Sequence, residues 1–258
     1  GFCFHDYRNV WIPPGHDGSE MSSHPLYAAG IAPPGQGPNN QFLEQTSQVQ
    51  ARTGYQVLYG VTDPESARQT VTDLALKGFE FLKIWVDDRG GSQTKLAPEI
   101  YRAVAQRAGE AGLKVFVHQQ NASDMLDLVT AGVDGFLHGR IGHDFTEQLI
   151  ARAEQSDVFV IPNLGLGELR REAIGEDQFL TPFLSQRLRK SLSASPLRQV
   201  RPIWGAANES ELIAGFARIE AGGLNLVLGT DAGAVPGHPF GYTGHRELEI
   251  YVRLGMSP

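Results

Sequence analysis

From residue 62 onward, apolar and polar positions repeat as one unit: a polar cap, an amphipathic helix, a glycine turn, an apolar strand and a polar residue at the strand's end. Thr62 and Pro64 open a helix with Ala67, Val71, Leu74 and Ala75 at helical spacing, and Gly78 closes it. "FEFLKIWV", from Phe79 to Val86, reads as the strand that follows. Pro98 opens the next helix, with Ile100, Val104 and Ala108 inward, then Gly112 and "LKVFVHQQ". A third helix runs from Ser123 through Leu126 and Val129 to Gly132, before "VDGFLHGR". A fourth runs from Asp144 through Phe145, Leu149 and Ala153, before "DVFVIPNLG". The last begins near Asn208, carries Leu212, Ile213, Phe216 and Ile219, and turns at "AGG" into "LNLVLGTDAG".

Strands alternating with helices imply parallel pairing through right-handed crossovers. The five units and an earlier apolar piece, "HPLYAAGIAP", predict an α/β fold of the (β/α)8 TIM-barrel kind in a single domain over residues 1–258. Two segments break the rhythm. Residues 1–54 are rich in Gly, Pro, Ser and Asn, with one convincing strand near Leu26. Residues 166–207 form an insertion before the last strand, in which Phe183, Leu184 and Leu188 have helical spacing. An insertion at that point of a barrel is expected to lie over its mouth as a lid.

Composition narrows the class without naming a reaction. The chain has 258 residues, 41% of them hydrophobic and 20% charged, enough for one large core. A net charge of −7 with no basic stripe argues against a nucleic-acid partner, and no apolar run has membrane-spanning length. The single cysteine, Cys3, excludes an internal disulfide framework. Compartment and oligomeric state stay open, a homo-oligomer included. The partner these features leave is a small-molecule substrate.

The chemistry collects at the strand ends, where barrel enzymes build their sites: Lys83, His118, His138, Asn163 and Asp231. Each alone has a bland reading: a hydrogen-bonded histidine, an aspartate in a tight turn, a snorkelling lysine. Together they converge on one axis. Imidazole and carboxylate suit a divalent metal, zinc being the expected ion, in one or two copies. A lysine between apolar walls has a lowered pKa. As a neutral amine it can take up carbon dioxide, and the resulting carbamate can bridge two metals. Asp231 would bind metal and act as general base.

The series "FLKIW", "VFVHQQN", "GFLHGR" and "VLGTDAG", followed by "GHRELEIYVRLGMSP", resembles the amidohydrolase superfamily. The resemblance is to the branch of imidazolonepropionases and metal-dependent prolidase-like dipeptidases. It covers roughly residues 24–258. It implies that Lys83, carboxylated, bridges two metals, that His118 and His138 bind the second, and that Asp231 binds the first and moves protons. The family's first strand ends in a His-x-His pair that this sequence does not show. The expectation is therefore a fragment, its barrel incomplete at the N-terminus and lacking the flanking β-sandwich. Cys3-x-His5 is the nearest substitute, and too little chain separates it from the next strand.

Around this set, Arg140 is placed to hold a substrate carboxylate or to pair with Asp144. Asn163 would contact substrate or cap a loop, and Gln119 and Gln120 would bind substrate or orient His118. His238 and Tyr242 lie in a loop after Asp231 from which either would reach the pocket, His238 to bind substrate, while His245 and Glu247 read as the start of the final helix. Trp85 reads as core packing. The reaction implied is hydrolysis of an amide-type C–N bond in a dipeptide, an N-acyl amino acid or a cyclic amide. The rivals are Schiff-base chemistry on Lys83, as in aldolases, and a truncated barrel without turnover.

Overall fold

The computed structural model describes residues 28–32, 58–88, 94–119, 122–138, 145–165, 174–193, 208–232 and 239–258, with residues 48, 51, 52, 54 and 141 besides. Its strands are β1 (Ala28–Ala32), β2 (Leu58–Gly60), β3 (Phe81–Val86), β4 (Lys114–Gln119), β5 (Gly135–Leu137), β6 (Phe159–Ile161) and β7 (Asn225–Leu226). The helices are α1 (Pro64–Leu76), α2 (Pro98–Ala111), α3 (Ala122–Ala131), α4 (Glu147–Gln155), α5 (Gln186–Ser193), α6 (Glu209–Ala221) and α7 (Tyr242–Arg253). Among the described residues no helix is long and apolar enough to cross a membrane.

All strands pair in parallel, in the order β2-β1-β3-β4-β5-β6-β7. From β3 to β7 each strand lies beside the next in sequence, as in a (β/α) barrel. Among the described residues β2 and β7 are the two ends of an open arc, so the barrel is incomplete.

The helix borders follow local chemistry. Pro64 supplies the fixed φ of a first turn, and the Asp63 carboxylate accepts the N–H groups of Glu65 (3.0 Å) and Ser66 (2.9 Å). Gly112 ends α2 in the left-handed conformation. Helix α4 starts later than the sequence pattern predicts. Thr146 caps it by accepting the Leu149 N–H, and Asp144 lies outside the described residues. Strand β3 begins at Phe81 rather than Phe79. Strand β2 was not anticipated, because three residues are too few to show a period.

Within residues 166–207 the described part comprises two 3₁₀ turns (Ile174–Glu176 and Thr181–Phe183) and α5. Its packing corrects the expected apolar face. Phe183 is 79% exposed and Leu188 is 44% exposed, while Leu192 is buried with Ile174, Leu180 and Tyr242 in a small cluster of their own. Helix α5 is short and takes its inward position from the turn at Ile174, which spacing alone does not reveal.

The two faces of the sheet differ. Leu82, Ile84 and Val86 of β3, Val115 and Val117 of β4, Phe136 of β5 and Val160 of β6 face the helices in one continuous core. The alternate residues form rows on the opposite face. Lys83, Phe116, Gly135 and Phe159 stand in register, and the next row is Trp85, His118, Leu137 and Ile161. The Phe116 ring lies 5.4 Å from that of Phe81 and 5.1 Å from that of Phe159, giving the lower row an aromatic floor. Gly135 makes the floor continuous, since a Cβ there would stand 2.4 Å from Phe159 Cζ.

Two substitutions test these layers. Phe136→Ala empties a fully buried position in the helix-facing core. It is expected to cost about 3–5 kcal/mol in urea unfolding. Gly135→Ala forces the Phe159 ring off the floor, with an expected cost of about 1–3 kcal/mol. Unchanged unfolding midpoints for both variants would contradict the layer assignment.

Candidate functional site

His118 is the second-last residue of β4 and is buried. Its Nε2 lies 3.2 Å from Oδ2 of Asp87, the residue just past β3, which is buried as well. The carboxylate can only accept, so the imidazole N–H at Nε2 donates. The Trp85 ring stacks on His118 with centroids 6.3 Å apart.

His138 follows β5, where strand alternation would send its side chain to the helix side with Phe136. The backbone prevents this. His138 has φ of +62°, and its ring turns to the opposite face, 4.6 Å from the His118 ring in an edge-to-face contact. Its N–H donates to the Ile161 carbonyl (2.9 Å) and to Asn163 Oδ1 (3.2 Å). Asn163 and Asp231 share the conformation, with φ of +51° and +52°. His, Asn and Asp are the non-glycine residues enriched there, and such strain gathers at functional sites. Three of the five strand-end residues picked from sequence thus hold left-handed backbone.

Lys83 is half-buried, with Nζ 5.0 Å from the centre of the Trp85 ring. This is cation–π distance for an ammonium, and an apolar wall for a neutral amine. Trp85 is buried, as its core reading predicts, and packs on the histidine face of the sheet. Asp231 is half-buried. Among the described residues no three His, Cys, Asp or Glu side chains form a group able to hold one metal ion. What the strand ends bring together is His118 with His138, backed by Asp87.

Of the other expected residues, Asn163 stands beside this pair through its bond to the His138 backbone. Gln119 ends β4. Arg140, His238, Gln120, Cys3 and His5 lie outside the described residues. Tyr242, expected in a loop, begins α7, is buried, and donates its hydroxyl to Asp177 (3.0 Å). His245 sits on α7 with its ring 5.2 Å from Phe179.

Two residues were missed. Asp87 was visible only as a polar residue closing "FEFLKIWVDD". Glu247 is no first-turn residue: it is fully buried in α7, and its carboxylate accepts the N–H groups of Leu164 (2.8 Å) and Gly165 (2.6 Å). Burial, and then the Glu247 carboxylate, push the Tyr251 hydroxyl far above the ordinary phenol range. The overlooked signal was spacing, since Thr243, Glu247, Ile250 and Tyr251 form one buried stripe of α7.

Metal-binding histidines commonly donate their second nitrogen to a carboxylate, as His118 does to Asp87, and His138 brings a second imidazole into contact.

No family model and no curated protein matches this sequence. Solved structures do. A. niger ochratoxinase aligns at TM-score 0.56 and 17% identity, over 89% of this chain and 50% of its own. A Xaa-Pro dipeptidase with methionine bound in its active site aligns at 0.52 and 21%, over 78% and 45%. A molinate hydrolase aligns at 0.52 and 13%, over 89% and 51%. The chain spans about half the length of these structures. What it shares with them is the fold of part of a (β/α) barrel, consistent with its sequential parallel strand order.

Proposed function

We propose that this chain is the catalytic-barrel portion of a metal-dependent hydrolase that cleaves an amide-type C–N bond in a small substrate. A dipeptide, an N-acyl amino acid or a cyclic amide is the class that fits. One observation carries the reading: His138 adopts left-handed backbone that turns its ring onto His118, whose far nitrogen is held by the buried Asp87. The fold shared with a Xaa-Pro dipeptidase supports the same class.

His118 and His138 would hold the ion, with zinc expected. Bound there, the ion supplies Lewis acidity to polarise the scissile carbonyl and to activate water. Lys83, whose Nζ lies 5.0 Å from the centre of the Trp85 ring, would react as the free amine with carbon dioxide to give a carbamate, with loss of one proton. Asp231 would take a proton from the attacking water as the new C–O bond forms and then deliver it to the amine nitrogen, after which the C–N bond breaks. Arg140 is assigned the substrate carboxylate.

Metal content and turnover test this. Purified protein titrated with Zn2+ should bind it at a site lost in His118→Ala and in His138→Ala. Asp87→Asn should weaken binding about 10- to 100-fold without unfolding the chain. Hydrolysis of Xaa-Pro dipeptides or N-acyl amino acids should stop with a chelator and return with metal. Zn2+ binding unaffected by the histidine variants would overturn the assignment. So would a borohydride-trapped adduct of a carbonyl substrate on Lys83, which marks Schiff-base chemistry.

A further inference from the structure

The reaction outlined above does not use Glu247, yet this carboxylate is fully buried and directed at backbone. A buried carboxylate is costly unless it is hydrogen-bonded, and bonds to a charged group are the strong ones. The Leu164 and Gly165 N–H groups lie just after β6, and both donate to this one carboxylate. The approach is close, so that a side chain on residue 165 would press on the carboxylate. A Cβ on residue 165 would stand 3.0 Å from Glu247 Oε2 and 3.8 Å from Ile250 Cδ1.

Asn163 immediately precedes the clamped pair and holds left-handed backbone. In that conformation its side-chain oxygen accepts the His138 N–H, and the His138 ring meets His118. We propose that Glu247 is a positioning residue: by clamping Leu164 and Gly165 it fixes Asn163, and through Asn163 it sets the backbone twist that delivers His138 to His118. A helix distant in sequence thereby governs the histidine pair through the residues that follow β6. The functional importance of that pair rests on the reading above, whereas the clamp itself rests on hydrogen bonds alone.

Amide hydrogen exchange and NMR shifts of the metal-free full chain test the proposal. Glu247→Gln removes one carboxylate oxygen at nearly constant shape. Exchange at Leu164 and Gly165 should accelerate about 10- to 100-fold, while the His138 amide and ring resonances shift. Asn163→Ala should move the His138 resonances and leave Leu164 and Gly165 protected. The double variant should displace His138 no further than Asn163→Ala alone. Glu249→Gln, on the exposed side of α7, should change none of these signals. If Glu247→Gln does not fold, Gly165→Ala decides by the same readout, because its Cβ crowds the carboxylate.

Released Leu164 and Gly165 amides with unmoved His138 resonances would overturn the proposal, as would unchanged exchange at all three. These readouts need neither metal nor substrate. Failure of the histidine pair to bind Zn2+ would therefore count against the metal reading alone.

Discussion

Parallel pairing of β3, β4, β5 and β6, without a skipped neighbour, is the constraint on which the site depends. Register across these strands puts Trp85 beside His118, and His118 beside Leu137. Asp87 stands two residues past Trp85, and His138 one residue past Leu137. Their proximity is thus a property of the hydrogen-bond ladder before any side-chain contact is counted. The aromatic floor of Phe81, Phe116 and Phe159 closes the space beneath. Polar groups above it have apolar surface on one side, where unsatisfied charge is costly and directed hydrogen bonds are strong.

Strand geometry alone leaves His138 on the wrong face. Its left-handed backbone corrects that, at a cost of about 1–3 kcal/mol for such a residue. The hydrogen bonds from its N–H to Ile161 and Asn163 offset this cost. Asn163 bears the same strain one strand over. The strain is therefore arranged as a chain, in which each residue is held by the next, back to a buried carboxylate on α7.

The sequence makes some of this readable and conceals the rest for physical reasons. The borders of α1 and α2 follow from Pro64, Gly78, Pro98 and Gly112, because these residues act within one turn of where they stand. His118 and His138 stand out as polar residues ending apolar strands. How His138 reaches its neighbour does not, because period-two alternation points it away and only the φ angle reveals the turn. Glu247 misleads for another reason: near a helix start, a glutamate normally reads as dipole compensation, and its partners lie more than eighty residues away in sequence. Strand β2 and the exposed Phe183 and Leu188 mark the limit of pattern reading in segments too short to show a period.

The claim at the centre is that two imidazoles on neighbouring strand ends form one coordinating pair. X-ray absorption at the zinc edge of the loaded protein tests it most directly, since ring scattering identifies histidine ligands. The account predicts two imidazoles in the first shell, with Zn–N distances of about 2.0–2.1 Å. A shell of oxygen atoms only, without ring scattering, would contradict it.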